Sequence, residues 1–122
     1  MLIDDFFSIV RKETDPHTVN ATISLRKNHP IFTGHFPGMP VVPGVCMIQI
    51  VREVMEAVKN VKLRLVSAEN IKFLSVINPN EIREVEVSLD FQITDNDCAM
   101  QARIFSGEII YFKFKGLFAI AQ

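Results

Sequence analysis

Two histidines and the start of a helix mark the part of the sequence best suited to chemistry. Residues 28–44 carry His29 and His35 among repeated Pro and Gly, and a run free of both begins at Val45. A stiff loop that leads straight into a helix holds a side chain against the unpaired N–H groups of the first turn. Imidazole exchanges protons near neutral pH, and such amides attract negative charge. We therefore expect His35 and the amides of Gly44 and Val45 to share a site.

The composition narrows the class of protein. The chain has 122 residues and a formal net charge of -1, which predicts one globular domain over residues 1–122 and argues against nucleic acid as a partner. The first residues lack a basic signal-peptide region, and no apolar run is long enough to cross a membrane, so we expect a cytoplasmic protein. Cys46 and Cys98 are expected to be reduced thiols. His29 and His35 have no third or fourth ligand nearby, so we predict no metal site and no cofactor.

Residue periodicity predicts the elements around this site. A helix is expected from about Val45 to about Asn60, and a short helix over residues 3–11, where apolar residues share one face. Alternating apolar residues predict strands over 18–26, 63–73, 85–93, 99–105 and 109–120, with turns at 78–80 and 95–97. Short connections indicate antiparallel pairing. The predicted fold class is α+β, with a long antiparallel sheet that curls around one central helix.

The segment His35 to Val45 follows the pattern H-F-P-G-x-P-x-x-P-G-V. It resembles the (3R)-hydroxyacyl-acyl-carrier-protein dehydratases, and the likeness extends over residues 17–119, including Asn28-His29-Pro30 and Ile71-Lys72-Phe73. The resemblance implies a hot-dog fold and the elimination of water from 3-hydroxyacyl thioesters to give trans-2-enoyl thioesters. It implies His35 as the base and the Gly44 and Val45 amides as donors to the thioester oxygen.

The resemblance also implies an assembly and a pathway. In this family the general acid comes from the helix of a partner subunit, so the active unit is a homodimer or a higher oligomer. The substrate is implied to be carried by acyl carrier protein or by CoA. The implied setting is fatty acid synthesis or a related polyene or polyketide route.

The sequence departs from the family pattern at the acid. The family has Glu or Asp fourteen residues after the histidine, whereas this chain has Gln49, and it has Glu53 where members usually carry Gln. A carboxamide donates a hydrogen bond but supplies no proton at useful pH, and loss of a general acid costs about 10²–10⁴ in rate. One hypothesis is that Glu53 reaches the substrate hydroxyl through Gln49 or a water. This chain is thus interpreted as a divergent member.

Two other functions fit the same residues. The chain could be a binding subunit, or the half of a heterodimer whose homologous partner supplies the acid. It could also be a hot-dog thioesterase in which Glu53 activates water. Simpler interpretations apply to several residues: Glu53 and Glu56 as a solvated or interface stripe, Cys46 as a small core residue, and five phenylalanines as sheet core or as the lining of an acyl tunnel. These five are Phe91, Phe105, Phe112, Phe114 and Phe118.

Overall fold

The computed structural model describes residues 2–30 and 41–121. In chain order the elements are β1 (Phe7–Thr14), β2 (Thr18–Leu25), α1 (Gly44–Lys59), β3 (Lys62–Phe73), β4 (Glu84–Thr94), β5 (Asp97–Ser106) and β6 (Ile109–Ala121). The strands form a six-stranded sheet in the order β1-β2-β4-β5-β6-β3, with every neighbouring pair antiparallel. This is the predicted α+β architecture, and β1 and β3 are the edge strands.

The sheet buries its inner face against α1. Alternate residues of β4 and β5 are buried, as their period-two patterns require, and the helix turns seven residues into the core. Helix residues Cys46, Met47, Ile50, Val51, Glu53, Val54 and Met55 are buried. The expectation that the sheet curls around the helix is confirmed. Within the described part of the chain, no helix is both long enough and apolar enough to cross a membrane.

The prediction of a short helix over residues 3–11 is wrong. Residues 4–6 form one turn, and β1 then pairs with β2 from Phe7 to Thr14. A register shift at Val10 places this side chain on the outside, 45% exposed, although it had counted toward the apolar helical face. An isolated helix of this length is only marginally stable in water. Pairing with β2 gives the same residues a ladder of backbone hydrogen bonds at the sheet edge.

The phenylalanine run is mostly core. Phe112 and Phe118 are fully buried, and Phe91 and Phe114 are nearly so. Successive rings of β6 lie close, with 6.4 Å between the ring centres of Phe112 and Phe114 and 5.8 Å between those of Phe114 and Phe118. Phe105 differs, because its ring is partly exposed and packs under the Arg103 guanidinium at 4.8 Å.

Candidate active site

The first turn of α1 carries unpaired backbone donors. Pro43 is the N-cap residue, with extended backbone angles and no side-chain cap, and its carbonyl accepts the N–H groups of Cys46 at 3.0 Å and Met47 at 3.3 Å. Within the described residues, the N–H groups of Gly44 and Val45 have no recorded acceptor, and Val45 is 75% exposed. Two free amides at the positive end of a 16-residue helix suit a negatively charged oxygen.

An aromatic ring covers the glycine of this turn. A Cβ atom added at Gly44 would lie 2.7 Å from Cζ and 2.8 Å from Cε1 of Phe73. Phe73 ends β3, is 55% exposed and packs against Phe112 with 5.4 Å between ring centres. The absence of a side chain at Gly44 therefore leaves room for the Phe73 ring. The sequence placed Phe73 in the resembling segment but gave no sign of this contact.

Gln49 and Glu53 lie one turn apart on the same helix face and contact each other. Gln49 Nε2 donates to Glu53 Oε2 at 2.5 Å, and Gln49 is partly exposed. Glu53 is fully buried. The interpretation of Glu53 as a solvated residue is therefore wrong for this chain, and the link to Gln49 that the relay hypothesis needs is present.

The first described residues supply the other partners of Glu53. The N–H of Leu2 donates to both carboxylate oxygens, at 2.9 Å and 3.0 Å, and the N–H of Ile3 donates to Oε1 at 2.7 Å. Together with Gln49 Nε2, three N–H donors contact this fully buried carboxylate. These hydrogen bonds compensate the free-energy cost of its burial. Nothing in the sequence pointed to this contact, because it joins backbone groups about fifty residues away from the helix.

The polar stripe continues toward the end of α1. Glu56 Oε2 accepts the N–H of Leu63 at 2.8 Å, and Arg52 Nε lies 4.0 Å from Glu56 Oε1. The stripe borders an open groove of about 760 Å³ that is also lined by Ile3. The helix ends at Lys59, and Asn60 follows in a left-handed conformation with its N–H on the Glu56 carbonyl.

His35 lies outside the described residues, so its predicted role as base stays a prediction. His29 is described, and its Nε2 lies 3.0 Å from Asp5 Oδ2 while its ring packs edge-on against Phe6. This hydrogen bond to His29 holds the pKa of the Asp5 carboxyl below its ordinary value. His29 therefore has a structural role, because it links the turn at Asp5 and Phe6 to the segment after β2.

Neither cysteine has the surroundings of a nucleophile. Cys46 and Cys98 are free and buried. Burial raises the pKa of the Cys46 thiol and raises that of Cys98 to about 11. Both sit in the core, as was expected for Cys46.

The β3 edge of the sheet is apolar. Within residues 2–30 and 41–121, strand β3 pairs only with β6, on one side. Six large apolar residues of β3 and the segment after it are exposed, namely Leu65, Val66, Ile71, Phe73, Leu74 and Val76. An exposed apolar edge of this size is typical of a protein–protein contact.

Comparison with known proteins places this geometry in a family. The model of the ApeI-like family, described as ApeI dehydratase, matches residues 11–108. A central helix wrapped by a long antiparallel sheet is the architecture of the hot-dog class. The chain belongs to the ApeI-like dehydratase family.

Curated relatives point to the same chemistry. The 3-hydroxyacyl-[acyl-carrier-protein] dehydratase FabZ of Rickettsia bellii is 33% identical over 89 residues, which are 66% of this chain and 61% of that protein. The corresponding FabZ of Rickettsia massiliae is 31% identical over 100 residues, covering 75% of this chain and 66% of that protein. The chain thus spans somewhat less than two thirds of the length of these relatives.

Solved structures agree on the fold. A chain of the dehydratase heterocomplex ApeI:P from Xenorhabdus doucetiae superimposes with a TM-score of 0.73, at 18% identity over 91% of this chain and 96% of that one. A hypothetical thioesterase with coenzyme A from Streptococcus pneumoniae gives a TM-score of 0.65 at 9% identity, covering 98% of this chain and 91% of that one. The predicted hot-dog fold is confirmed.

Proposed function

We propose that this protein dehydrates 3-hydroxyacyl thioesters on acyl carrier protein or CoA to trans-2-enoyl thioesters, in fatty acid synthesis or a related polyene or polyketide route. The observation that carries the proposal is the pair of Gly44 and Val45 amides, which have no acceptor among the described residues and lie at the start of a helix in a dehydratase family. The bond from C2 to hydrogen breaks, the bond from C3 to oxygen breaks, and one water leaves for each double bond formed.

Each residue has a distinct part in this proposal. His35 takes the C2 proton, and the electron pair shifts toward the thioester oxygen. The Gly44 and Val45 amides, aided by the helix dipole, stabilise the negative charge on that oxygen. The electrons then form the double bond and expel the 3-hydroxyl group, which needs a proton to leave as water. Gln49 holds no such proton.

The missing proton motivates the second part of the proposal, which concerns the assembly. The active unit is a homodimer or higher oligomer, or a heterodimer with a homologous chain that supplies the acid. The exposed apolar edge at β3 supports association through that strand. The related ApeI:P structure is a heterocomplex. Both oxygens of Glu53 are taken by N–H donors in a fully buried place, which argues against Glu53 as acid and against a thioesterase that uses it.

The decisive experiment is hydration of a trans-2-enoyl thioester, the same reaction in reverse, followed by loss of conjugated absorbance. The purified protein is compared with His35→Ala, first by itself and then with a copurified homologue. Turnover that disappears in His35→Ala supports the proposal, and turnover only after adding the homologue supports the heterodimer. Equal rates in wild type and His35→Ala under both conditions would refute the dehydratase role.

A basic row on the outer face of the sheet supports a carrier-borne substrate. Lys113 on β6 stands opposite Lys72 on β3 and Arg103 on β5, so three cations occupy neighbouring positions across three strands. Like charges in register destabilise a sheet unless an anionic partner compensates them. Lys72 lies one residue before Phe73 at the end of β3, and the two side chains point to opposite faces of the sheet. We therefore place the acidic carrier protein on this row, on the outer face of the sheet.

Charge reversal tests this placement. Lys113→Glu should raise the KM for carrier-bound substrate about tenfold at low salt and leave the KM for a small N-acetylcysteamine thioester unchanged. Lys12→Glu, an exposed substitution on the opposite edge strand β1, is the matched control. Equal effects of the two variants, or equal effects on the two substrates, would contradict the placement.

A further inference from the structure

We propose that Glu53 is a positioning residue for the active-site amide. It fixes the Gln49 carboxamide with its nitrogen inward and its carbonyl oxygen toward the open side of the helix. The inference rests on the proposed function, because it assigns the role of Gln49 in that site. It goes further by stating which end of the amide meets the substrate and what holds it there.

The surroundings of Glu53 decide the orientation of the amide. The N–H groups of Leu2 and Ile3 can only donate, so the carboxylate oxygens they contact must accept. A carboxylate in this place offers Gln49 an acceptor and no proton. The amide must therefore turn Nε2 toward Glu53, as the 2.5 Å contact shows, because its oxygen in that place would oppose another acceptor.

The other end of the amide is left available. Among the described residues, no hydrogen bond to Gln49 Oε1 is recorded, although the side chain is partly exposed. A carbonyl oxygen accepts hydrogen bonds from hydroxyl groups. It thus suits the 3-hydroxyl of the substrate, or the water that adds in the reverse reaction. Gln49 then binds and orients the hydroxyl as an acceptor, which is a different role from that of the acid it replaces.

The turn over residues 2–6 is what holds Glu53 in place. Its N–H groups at Asp5 and Phe6 donate to the Leu2 carbonyl, at 3.1 Å and 2.6 Å. Asp5 also contacts His29, which ties the turn to the segment that follows β2. Through its N–H groups on Glu53, the turn orients Gln49.

The test compares two ligands that differ by one hydroxyl group. Binding of (3R)-hydroxyhexanoyl-CoA and of hexanoyl-CoA is measured by titration for wild type, Glu53→Gln and Glu56→Gln. A glutamine at 53 must keep its oxygen on the Leu2 and Ile3 amides. Its nitrogen then faces Gln49, whose amide turns over. We expect the Kd of the hydroxylated ligand to rise about three- to tenfold, the range of one hydrogen bond, with hexanoyl-CoA unchanged.

Glu56→Gln is the matched control. Glu56 lies on the same helix as Glu53 and also accepts a backbone N–H, from Leu63. Among the described residues it has no hydrogen bond to Gln49. We expect it to change neither Kd. If Glu53→Gln weakens both ligands equally, or neither, the positioning role is refuted. If wild type binds neither ligand, the proposed function fails, and the positioning role is then judged by the spectroscopic measurement that follows.

A spectroscopic measurement on the wild-type protein covers the case in which Glu53→Gln does not fold. The side-chain amide of Gln49 is assigned by NMR through its disappearance in Gln49→Met. A hydrogen bond to a buried carboxylate should shift one of its two protons downfield and slow its exchange with water. Two protons with the shifts and exchange rates of a solvated amide would overturn the inference.

Discussion

Gly44→Ala separates a structural role of the helix start from a catalytic one. The new Cβ would lie 2.7 Å from Cζ of Phe73, the far end of a side chain that is 55% exposed. Because this ring is half-exposed in the single chain and can rotate away there, the fold of the single chain should tolerate the methyl group. The rotated ring and the methyl group would then occupy the approach to the two free amides.

The expected stability change is small. Replacing Gly by Ala reduces the entropy of the unfolded chain, which stabilises by about 0.4–1 kcal/mol where the backbone conformation suits alanine. Position 44 is helical, so this condition is met. Displacing the half-exposed Phe73 ring offsets that gain. We therefore expect the free energy of unfolding, measured in urea, to change by less than about 1 kcal/mol.

The expected activity change is large. Alanine keeps its backbone N–H, so the expected loss comes from blocked access to the two amides. Exclusion of the thioester oxygen from this site should resemble loss of an oxyanion donor and lower the kcat of enoyl-thioester hydration by about 10²–10³-fold. Gly116→Ala is the opposite control. Its Cβ would lie 2.7 Å from the Ser67 carbonyl oxygen, a backbone atom that cannot rotate away. It should therefore destabilise the fold by about 1–3 kcal/mol, with little effect on kcat of the folded fraction.

Three results of Gly44→Ala can be told apart. Low activity with normal stability supports the amides as the oxygen-binding site. Full activity with normal stability would refute that role, because the methyl group and the ring would then stand where the thioester oxygen binds. Loss of stability of the size expected for Gly116→Ala would refute the reasoning about the mobile Phe73 ring.

Three further predictions concern titrating groups. Gln49→Glu would place a second carboxyl against the buried Glu53 acceptor, so its free energy of unfolding in urea should fall below that of wild type. Gln49→Glu/Glu53→Gln should recover part of the loss, and equal stability of the two variants would contradict the contact. Hydrogen bonds from Thr18 and His17 lower the pKa of Asp15 below 3.8, so its contribution to stability is present above that pH and is lost as pH falls through the lowered pKa. Asp15→Asn should therefore reduce the loss of unfolding free energy at acid pH, and an unchanged loss would contradict these hydrogen bonds. With a pKa of about 11, Cys98 is about one thousandth thiolate at pH 8, so iodoacetamide should label it only after unfolding, and rapid labelling of native protein would contradict its burial.

The sequence predicted the fold well where periodicity was long and failed where it was short. The alternating residues of β4, β5 and β6 predicted these strands to within about two residues, because one buried face imposes a period of two. Residues 3–11 span only about two helical turns. A few apolar residues in so short a segment can match a helical period by chance. Their pairing with β2 is a contact between segments, and local periodicity carries no record of it.

The features of the candidate site also differ in whether the sequence could predict them. The free amides at Gly44 and Val45 could be predicted, since a proline at the N-cap and the loss of partners at a helix start are local properties. The Phe73 ring over Gly44 and the Leu2 and Ile3 amides on Glu53 could not. Both join segments distant in sequence, and the second involves backbone groups that every residue possesses.

Relative to the family pattern, this chain has the amide at position 49 and the acid at position 53. The two positions differ in burial, so each side chain can do different chemistry there. At position 49 a side chain is partly exposed, whereas at 53 it is fully buried. The buried place suits a carboxylate because three N–H groups contact it, and both of its oxygens are occupied as acceptors. Under the proposed function, the helix orients the hydroxyl group through Gln49, and among the described residues its neighbour Glu53 is the acceptor of that amide, not a proton donor to the substrate. Dehydration at a useful rate then requires a proton from another chain, and the exposed edge at β3 is where we expect that chain to associate.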